Sequence, residues 1–358
     1  MTPNDRTALK FESRDVMNWS VILAVTLGLL VVGRNFLMPL AVAVLLWSLL
    51  NAFSNYIQSI KLGRYHTPAW LATTLAVLVL VLASYVVYKI LISQADALQK
   101  AAPVYQENFT RLAGQVAQWL DIEEMPATAE LLGRLNLGSI FTRIGGLVGA
   151  VIGDIVLVAI YIGFLLAEQH NLPGKFARLH PDEGLAAQTR GLAVEISEKV
   201  QRYMWVKTII SLLTAVVAYV ILKLVGIDFA IIWALTIFLL NYIPNIGSIL
   251  GVVFPALLAL VQFETITPFI YVVVGLGSTQ FIIGNLLEPA FMGRSLNLSS
   301  FVIIISLTFW GMIWGLPGMV LSVPIMVTIA IICSYIPTLQ WIAVLLSADG
   351  RAFGPREQ

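Results

Sequence analysis

The stretch Phe229-Ala-Ile-Ile-Trp-Ala-Leu-Thr-Ile-Phe-Leu-Leu-Asn-Tyr-Ile-Pro-Asn-Ile-Gly-Ser-Ile-Leu-Gly-Val-Val-Phe-Pro-Ala-Leu-Leu-Ala-Leu-Val-Gln262 decides the architecture. It is apolar almost throughout, yet Asn241, Pro244, Asn245 and Gly247 interrupt it in the middle. Pro244 has no N–H to donate, and its ring pushes the residue before it out of the helical region. Each arm is about 15–17 residues, or roughly 22–25 Å of helix at 1.5 Å per residue. The hydrocarbon core of a bilayer is about 30 Å thick. Single arms fall short of it, so the cheaper geometry is a re-entrant helical hairpin, entering and leaving on one side. The competing reading is an ordinary helical pair with a tight turn, crossing fully in locally thinned lipid.

Residues 300–337 repeat the plan: one arm is 300–314, the break is Gly315-Leu-Pro317-Gly318, and the return arm starts at Met319. Each return arm holds a further proline, Pro255 or Pro324. Two broken helices in corresponding positions with opposite orientation point to a transporter's midplane site. Unwound backbone at that depth must be satisfied by protein or by a water-lined cavity.

Composition supports a lipid-embedded chain. Of 358 residues, 59% are hydrophobic and only 11% charged, against roughly 25% charged in soluble domains. Too little polar surface exists to coat a water-soluble body of this size. A net charge of +1 offers no concentrated basic face for nucleic acid. Cys333 has no partner, and no Cys/His spacing suits a metal, so neither disulfide, metal nor cofactor is expected.

The resulting expectation is an all-α, polytopic membrane protein with two re-entrant hairpins and a small helical extramembrane insert. Region 1–92 holds spans near 17–33, 36–53 and 68–92, the first read as a retained helix rather than a cleaved signal. The insert is 93–143, polar and acidic, with amphipathic spacing. Region 144–207 carries a fourth span (144–167) and a basic linker. A core of 208–347 follows, with a fifth span at 208–224, the hairpins 229–262 and 300–337, and a span at 266–287 between them. Residues 348–358 form a tail. Lysine and arginine before the first span, after the second and after the fourth place the N-terminus, and the tail, in the cytoplasm.

Polar residues at membrane depth face a cavity or another helix. Asn241, Asn245 and Ser248 surround the first tip, and Thr279, Gln280 and Asn285 share roughly one face of the next span. Amides and hydroxyls offer donors and acceptors without fixed charge, as a small polar solute requires. Each amide alone is equally explained by interhelical hydrogen bonding. Glu288 and Asp154 are intramembrane carboxylates that could carry a proton or cation, with Arg294 near the first. Their plainer roles are ion pairing with Arg294 or helix capping for Glu288, and pairing with Arg143 or with a basic group on another span for Asp154. Gly145, Gly149 and Gly153 form a small-residue stripe that lets a helix approach closely. No Walker A spacing and no nucleophile–base constellation appears, so ATP-driven transport and enzymatic activity are disfavoured.

Tyr242-Ile-Pro-Asn-Ile-Gly-Ser-Ile-Leu-Gly251, Gly284-Asn-Leu-Leu-Glu-Pro-Ala-Phe-Met-Gly-Arg-Ser-Leu-Asn-Leu-Ser299 and Trp314-Gly-Leu-Pro-Gly-Met319 resemble the signatures of the autoinducer-2 exporter family. The resemblance covers essentially the whole chain, and is weakest in the insert. It implies a bacterial inner-membrane, homo-pentameric exporter of a small polar signal, working by an elevator in which the two hairpins form the substrate site. On that reading Asn241, Pro244, Asn245, Gly247, Ser248, Gln280, Asn285, Pro317 and Gly318 bind substrate. Sodium or proton exchange through Glu288 or Asp154, and a non-transporting envelope scaffold docked through 93–143, are the alternatives.

Overall fold

A computed structural model describes residues 13–60, 67–119, 155–172, 174–175, 182–292 and 297–351. Asp154, Arg294 and the Gly145/Gly149/Gly153 stripe lie outside these residues. The described fold is all-helical apart from one isolated bridge between Leu298 and Ser347. Helix α1 (Ser13–Val32) and α2 (Arg34–Ser59) are separated by Gly33 alone. Helix α3 (Ala69–Trp119) is followed by α4 (Ile155–Glu168) and α5 (Glu183–Val225). The hairpin arms α6 (Ala230–Leu240) and α7 (Ile246–Gln262) come next. Helix α8 (Thr267–Ile282) passes through a π-helical turn, Ile283–Leu287, into α9 (Glu288–Met292). The second broken segment is α10 (Ser300–Tyr335), and α11 (Gln340–Leu346) closes the described chain. Among the described residues, five helical stretches are long and apolar enough, by length and composition, to cross a bilayer: Arg34–Ser59, Ala69–Gln94, Gly184–Val225, Thr267–Met292 and, measured across its kink at Gly315, Ser300–Tyr335. The protein is an all-α, multi-pass membrane protein.

Both broken segments fold back on themselves. A Cβ on Gly247 would sit 1.8 Å from the carbonyl oxygen of Leu240, and one on Gly251 would sit 3.3 Å from Ile237. In the second segment Gly315 takes φ 65°, ψ −144°. This backbone conformation is open almost only to glycine. The arms then pair so tightly that a Cβ on Gly318 would lie 2.0 Å from the Trp310 carbonyl. Across the same hairpin, Ser306 Oγ donates to Ser322 O at 3.3 Å. Glycine is required at both contacts because two backbones touch there.

Two expected boundaries fall inside continuous helices. The third span ends near Gln94, close to the expected residue 92, but its helix does not: α3 runs 51 residues, about 76 Å at 1.5 Å per residue. The stretch to Lys207 is likewise no linker from Glu183 onward, because α5 runs 43 residues. Asp182 caps that helix by accepting from Gly184 N at 2.7 Å and Leu185 N at 3.3 Å, and Gly226 ends it with φ 84°. Nothing between those caps breaks it.

Helix α5 is the spine. Its Val200, Tyr203 and Met204 pack with Trp310, Trp314, Leu321 and Val327 of the second hairpin. Further along, Ala218 and Leu222 pack with Ile237 and Ala256 of the first hairpin and with Val272 and Leu276 of α8. Lipid is as apolar as leucine, so these contacts hold by close packing rather than by escape from water. Residues 204–218 of the spine therefore run between two cores, and the polar groups gather there.

Candidate functional site

Four polar side chains ascend one side of α5 through this zone: Tyr203, Lys207, Thr208 and Ser211. The first hairpin's tip meets the upper two. Asn241 Nδ2 donates to Ser211 Oγ at 3.1 Å, with both side chains buried. Thr208 gives its own hydroxyl proton to Met204 O at 2.7 Å, so the Tyr242 phenol is the donor in the 2.7 Å contact between Tyr242 and Thr208. Tip and spine are thus joined side chain to side chain.

Between Asn241 and α7 the chain turns through Asn245, whose φ of 60° and ψ of −54° are rare for a residue with a side chain. Asparagine tolerates positive φ better than most residues, yet such backbone costs on the order of 1–3 kcal/mol and clusters at functional sites. The strained turn presents Pro244, Asn245 and Ser248 to a cavity of about 580 Å³.

The opposite wall is the end of α8. Pro289 cannot donate to the carbonyl four residues back, Asn285, and its ring crowds that carbonyl. The backbone answers with the π turn at Ile283–Leu287, in which Glu288 N–H reaches Ile283 O. Such bulges are rare and often functional. This one turns Gly284, Asn285 and Glu288 toward the cavity, alongside Gln280. The span expected at 266–287 does not end the helix, which continues past Pro289 to Met292 through the widened turn.

Lys207 completes the site. Its Nζ donates to Glu288 Oε1 at 2.5 Å, and the two side chains are 4% and 22% exposed. Both line the cavity. The Tyr203 hydroxyl, one helical turn below Lys207, is buried with no hydrogen-bond partner. The recess therefore carries one cation and one anion that cancel, three amides beyond Asn241, and a hydroxyl, against apolar walls of Ile249, Val252 and Phe281.

Of the candidates named from sequence, Asn241, Pro244, Asn245, Ser248, Gln280, Asn285 and Glu288 are brought together here. Gly247 does not line the cavity; it makes the backbone contact that closes the hairpin. Pro317 and Gly318 also stand apart from it, and Gly318 is buried against Trp310 and Trp314. Sequence reading missed Lys207, because a lysine at the edge of an apolar window reads as the end of a basic linker. Its spacing to Thr208 and Ser211 on one helix was the available signal.

A lipid-embedded helical scaffold with a broken-helix tip over a charge-balanced polar cavity defines a solute-transporting membrane protein. Residues 20–338 match the family described as AI-2E family transporter, and the chain belongs to that family. It is 30% identical over 338 residues to the AI-2 transport protein TqsA of Escherichia coli K12, covering 91% of this chain and 95% of that protein. It is 31% identical over 261 residues to YhhT of the same organism, covering 71% and 73%. To PerM, also from Escherichia coli K12, it is 25% identical over 335 residues, covering 88% and 92%.

Proposed function

We propose that this protein exports a small, uncharged, hydroxylated signalling solute of the autoinducer-2 kind across a bacterial inner membrane, with its N-terminus in the cytoplasm. The observation that carries this reading is the cavity at the first hairpin tip, where amides and a hydroxyl converge around a neutralised ion pair. Fixed net charge is absent there, and directional donors and acceptors are plentiful, which suits a polyol-like solute. In this reading the hairpins are re-entrant, and the first carries its solute past α5 as an elevator within a homo-oligomer, a pentamer by family resemblance. The partners are that solute, the bilayer and other copies of the chain. Reconstituted protein should move autoinducer-2, and Gln280→Ala together with Asn245→Gly should reduce the flux at least about tenfold, the loss of one or two good hydrogen bonds. Undiminished flux in that double variant removes the cavity from the transport path.

A second reading has its own observation. The Lys207–Glu288 pair is an ion pair that lines a cavity, and intramembrane ionisable groups mark ion pathways. On this reading the chain exchanges sodium for protons, and Glu288→Gln abolishes pH-dependent sodium movement in proteoliposomes while autoinducer-2 fails to move in any variant.

A further inference from the structure

The first hairpin is held at both ends, far from its tip. Gln262 closes its base: its Nε2 donates to Gly226 O at 2.8 Å, and its Oε1 accepts from Asp228 N at 2.8 Å. The two ends of the hairpin are thereby one unit. Helix α3 reaches that unit with three side chains spaced by three residues each. Tyr105, 4% exposed, donates its phenolic proton to Asp228 Oδ2 at 2.7 Å. Asn108 Nδ2 donates to Val261 O at 2.9 Å. Arg111 lies 3.8 Å from Glu264. The apolar span of α3 ends near Gln94, so the grip is made by the polar continuation of a membrane helix. Tyr105 also belongs to the same packed cluster as Leu222, Ala256 and Leu276.

We propose that Tyr105, Asn108 and Arg111 form a latch that positions the first hairpin by its base and must let go for its tip to move. The inference rests on the elevator reading above. A merely structural clamp would hold two parts that never separate; a latch holds parts that transport separates. The contact chemistry favours release. Two of the three contacts are single hydrogen bonds across helices, and the third is an exposed ion pair, worth little by itself. These are the polar contacts the base must break, beside the apolar packing of Tyr105, since Gln262 keeps the base's own two ends together.

The test uses the full chain in a Cys333→Ala background. Arg111→Cys and Glu264→Cys, at positions whose native side chains are 48% and 86% exposed, are bridged by a reducible bis-thiosulfonate reagent in proteoliposomes. Bridging should stop autoinducer-2 flux, and reduction should restore it. Bridged protein that transports at the unbridged rate overturns the latch. A second arm needs no transported solute. Ile249→Cys, at an exposed cavity position, is alkylated by a membrane-impermeant maleimide with the latch intact or weakened by Tyr105→Phe and Asn108→Ala. Losing a hydrogen bond to a charged acceptor shifts a two-state balance roughly tenfold or more, so the alkylation rate should change by that order. Equal rates overturn the proposal. Asp228→Asn, nearly isosteric, replaces Tyr105→Phe if the latter does not purify as a monodisperse species. Wild-type vesicles that move no autoinducer-2 count against the proposed substrate, and the alkylation arm then decides the latch by itself.

Discussion

Replacing Glu288 with glutamine isolates what the buried pair contributes. The substitution keeps an acceptor beside Lys207 but removes its counter-charge, and Lys207 is 4% exposed with little water to turn to. Breaking a buried pair from one side costs about 3–5 kcal/mol, most of it the stranded charge. Lys207→Met strands the other partner, but Glu288 is 22% exposed and lines the cavity. Cavity water can solvate it, and the loss should fall to about 1.5–3 kcal/mol, the range for a hydrogen bond to a charged group. Removing both charges with Lys207→Met/Glu288→Gln should return stability to within about 1 kcal/mol of wild type, because the desolvation cost disappears with the attraction. Thermal unfolding of the purified protein reads this. At about 2 °C per kcal/mol for large domains, Glu288→Gln should lose roughly 6–10 °C, Lys207→Met less, and the double variant little. Single effects that simply add in the double variant, or a Glu288→Gln protein that melts like wild type, would refute the pairing and with it the charge-balanced cavity. A double variant that melts normally yet no longer transports would assign the pair to function.

Other outcomes follow from single contacts. Gly247→Ala and Gly318→Ala each drive a Cβ within 1.8–2.0 Å of a facing carbonyl, so each should destabilise by about 3 kcal/mol or more through forced separation of the arms; a melting curve unchanged for either would contradict the fold-back. Asn245→Gly should leave stability intact or slightly raised, since glycine adopts its φ of 60° without strain, while flux falls. That split between melting and transport checks the amide's role in binding. Burial, and then the hydrogen bond and charge of Asp228, hold the Tyr105 phenol well above its ordinary value of 10.0. The sign is that of a raised folded-state value: its contribution is complete below about pH 10 and is lost only as pH climbs further. Ultraviolet difference titration of wild type against Tyr105→Phe should therefore show a tyrosine that ionises later than the exposed tyrosines. A difference spectrum that titrates with the exposed tyrosines would place Tyr105 outside the protein.

The break points were legible because proline and glycine act on the backbone directly. Pro244 and Gly315 stop a helix whatever surrounds them, so residues 229–262 and 300–337 declared themselves as folded-back pairs. The amides of the first tip and of α8 were legible for a similar reason: at membrane depth each polar group needs a destination. What sequence periodicity could not supply was continuity. A hydropathy window sees where lipid ends and not where a helix ends, so α3 and α5 were each divided at the polarity change although their hydrogen bonding runs on. The cost fell on function, since that division assigned Lys207 to a linker. The π turn was hidden too, because Pro289 signals only that an N–H donor is lost, and whether the helix stops or widens depends on what packs beside it.

Those two unbroken helices also constrain how any motion must be arranged. Helix α5 contacts both cores, so it cannot travel with the first hairpin unless the second hairpin travels as well. The tip is joined to α5 by the bonds from Asn241 and Tyr242, and the end of α8 is joined to α5 by the Lys207–Glu288 contact. The base is joined to α3 by Tyr105 and Asn108. A displacement of the first hairpin against the spine must therefore break polar contacts at both ends together. Breaking only the tip contacts would pivot the hairpin about its base, and that pivot would shear α7 from α8, whose Ala256, Ala259, Val272 and Leu276 share one packed core. In the elevator proposed above, helices α6, α7 and α8, with the π turn, would then move as one body. Cross-linking α7 to α8 should then leave transport unimpaired, whereas cross-linking α6 to α5 should abolish it; the reverse pattern would dismiss a rigid carrier and leave a hinged tip in its place.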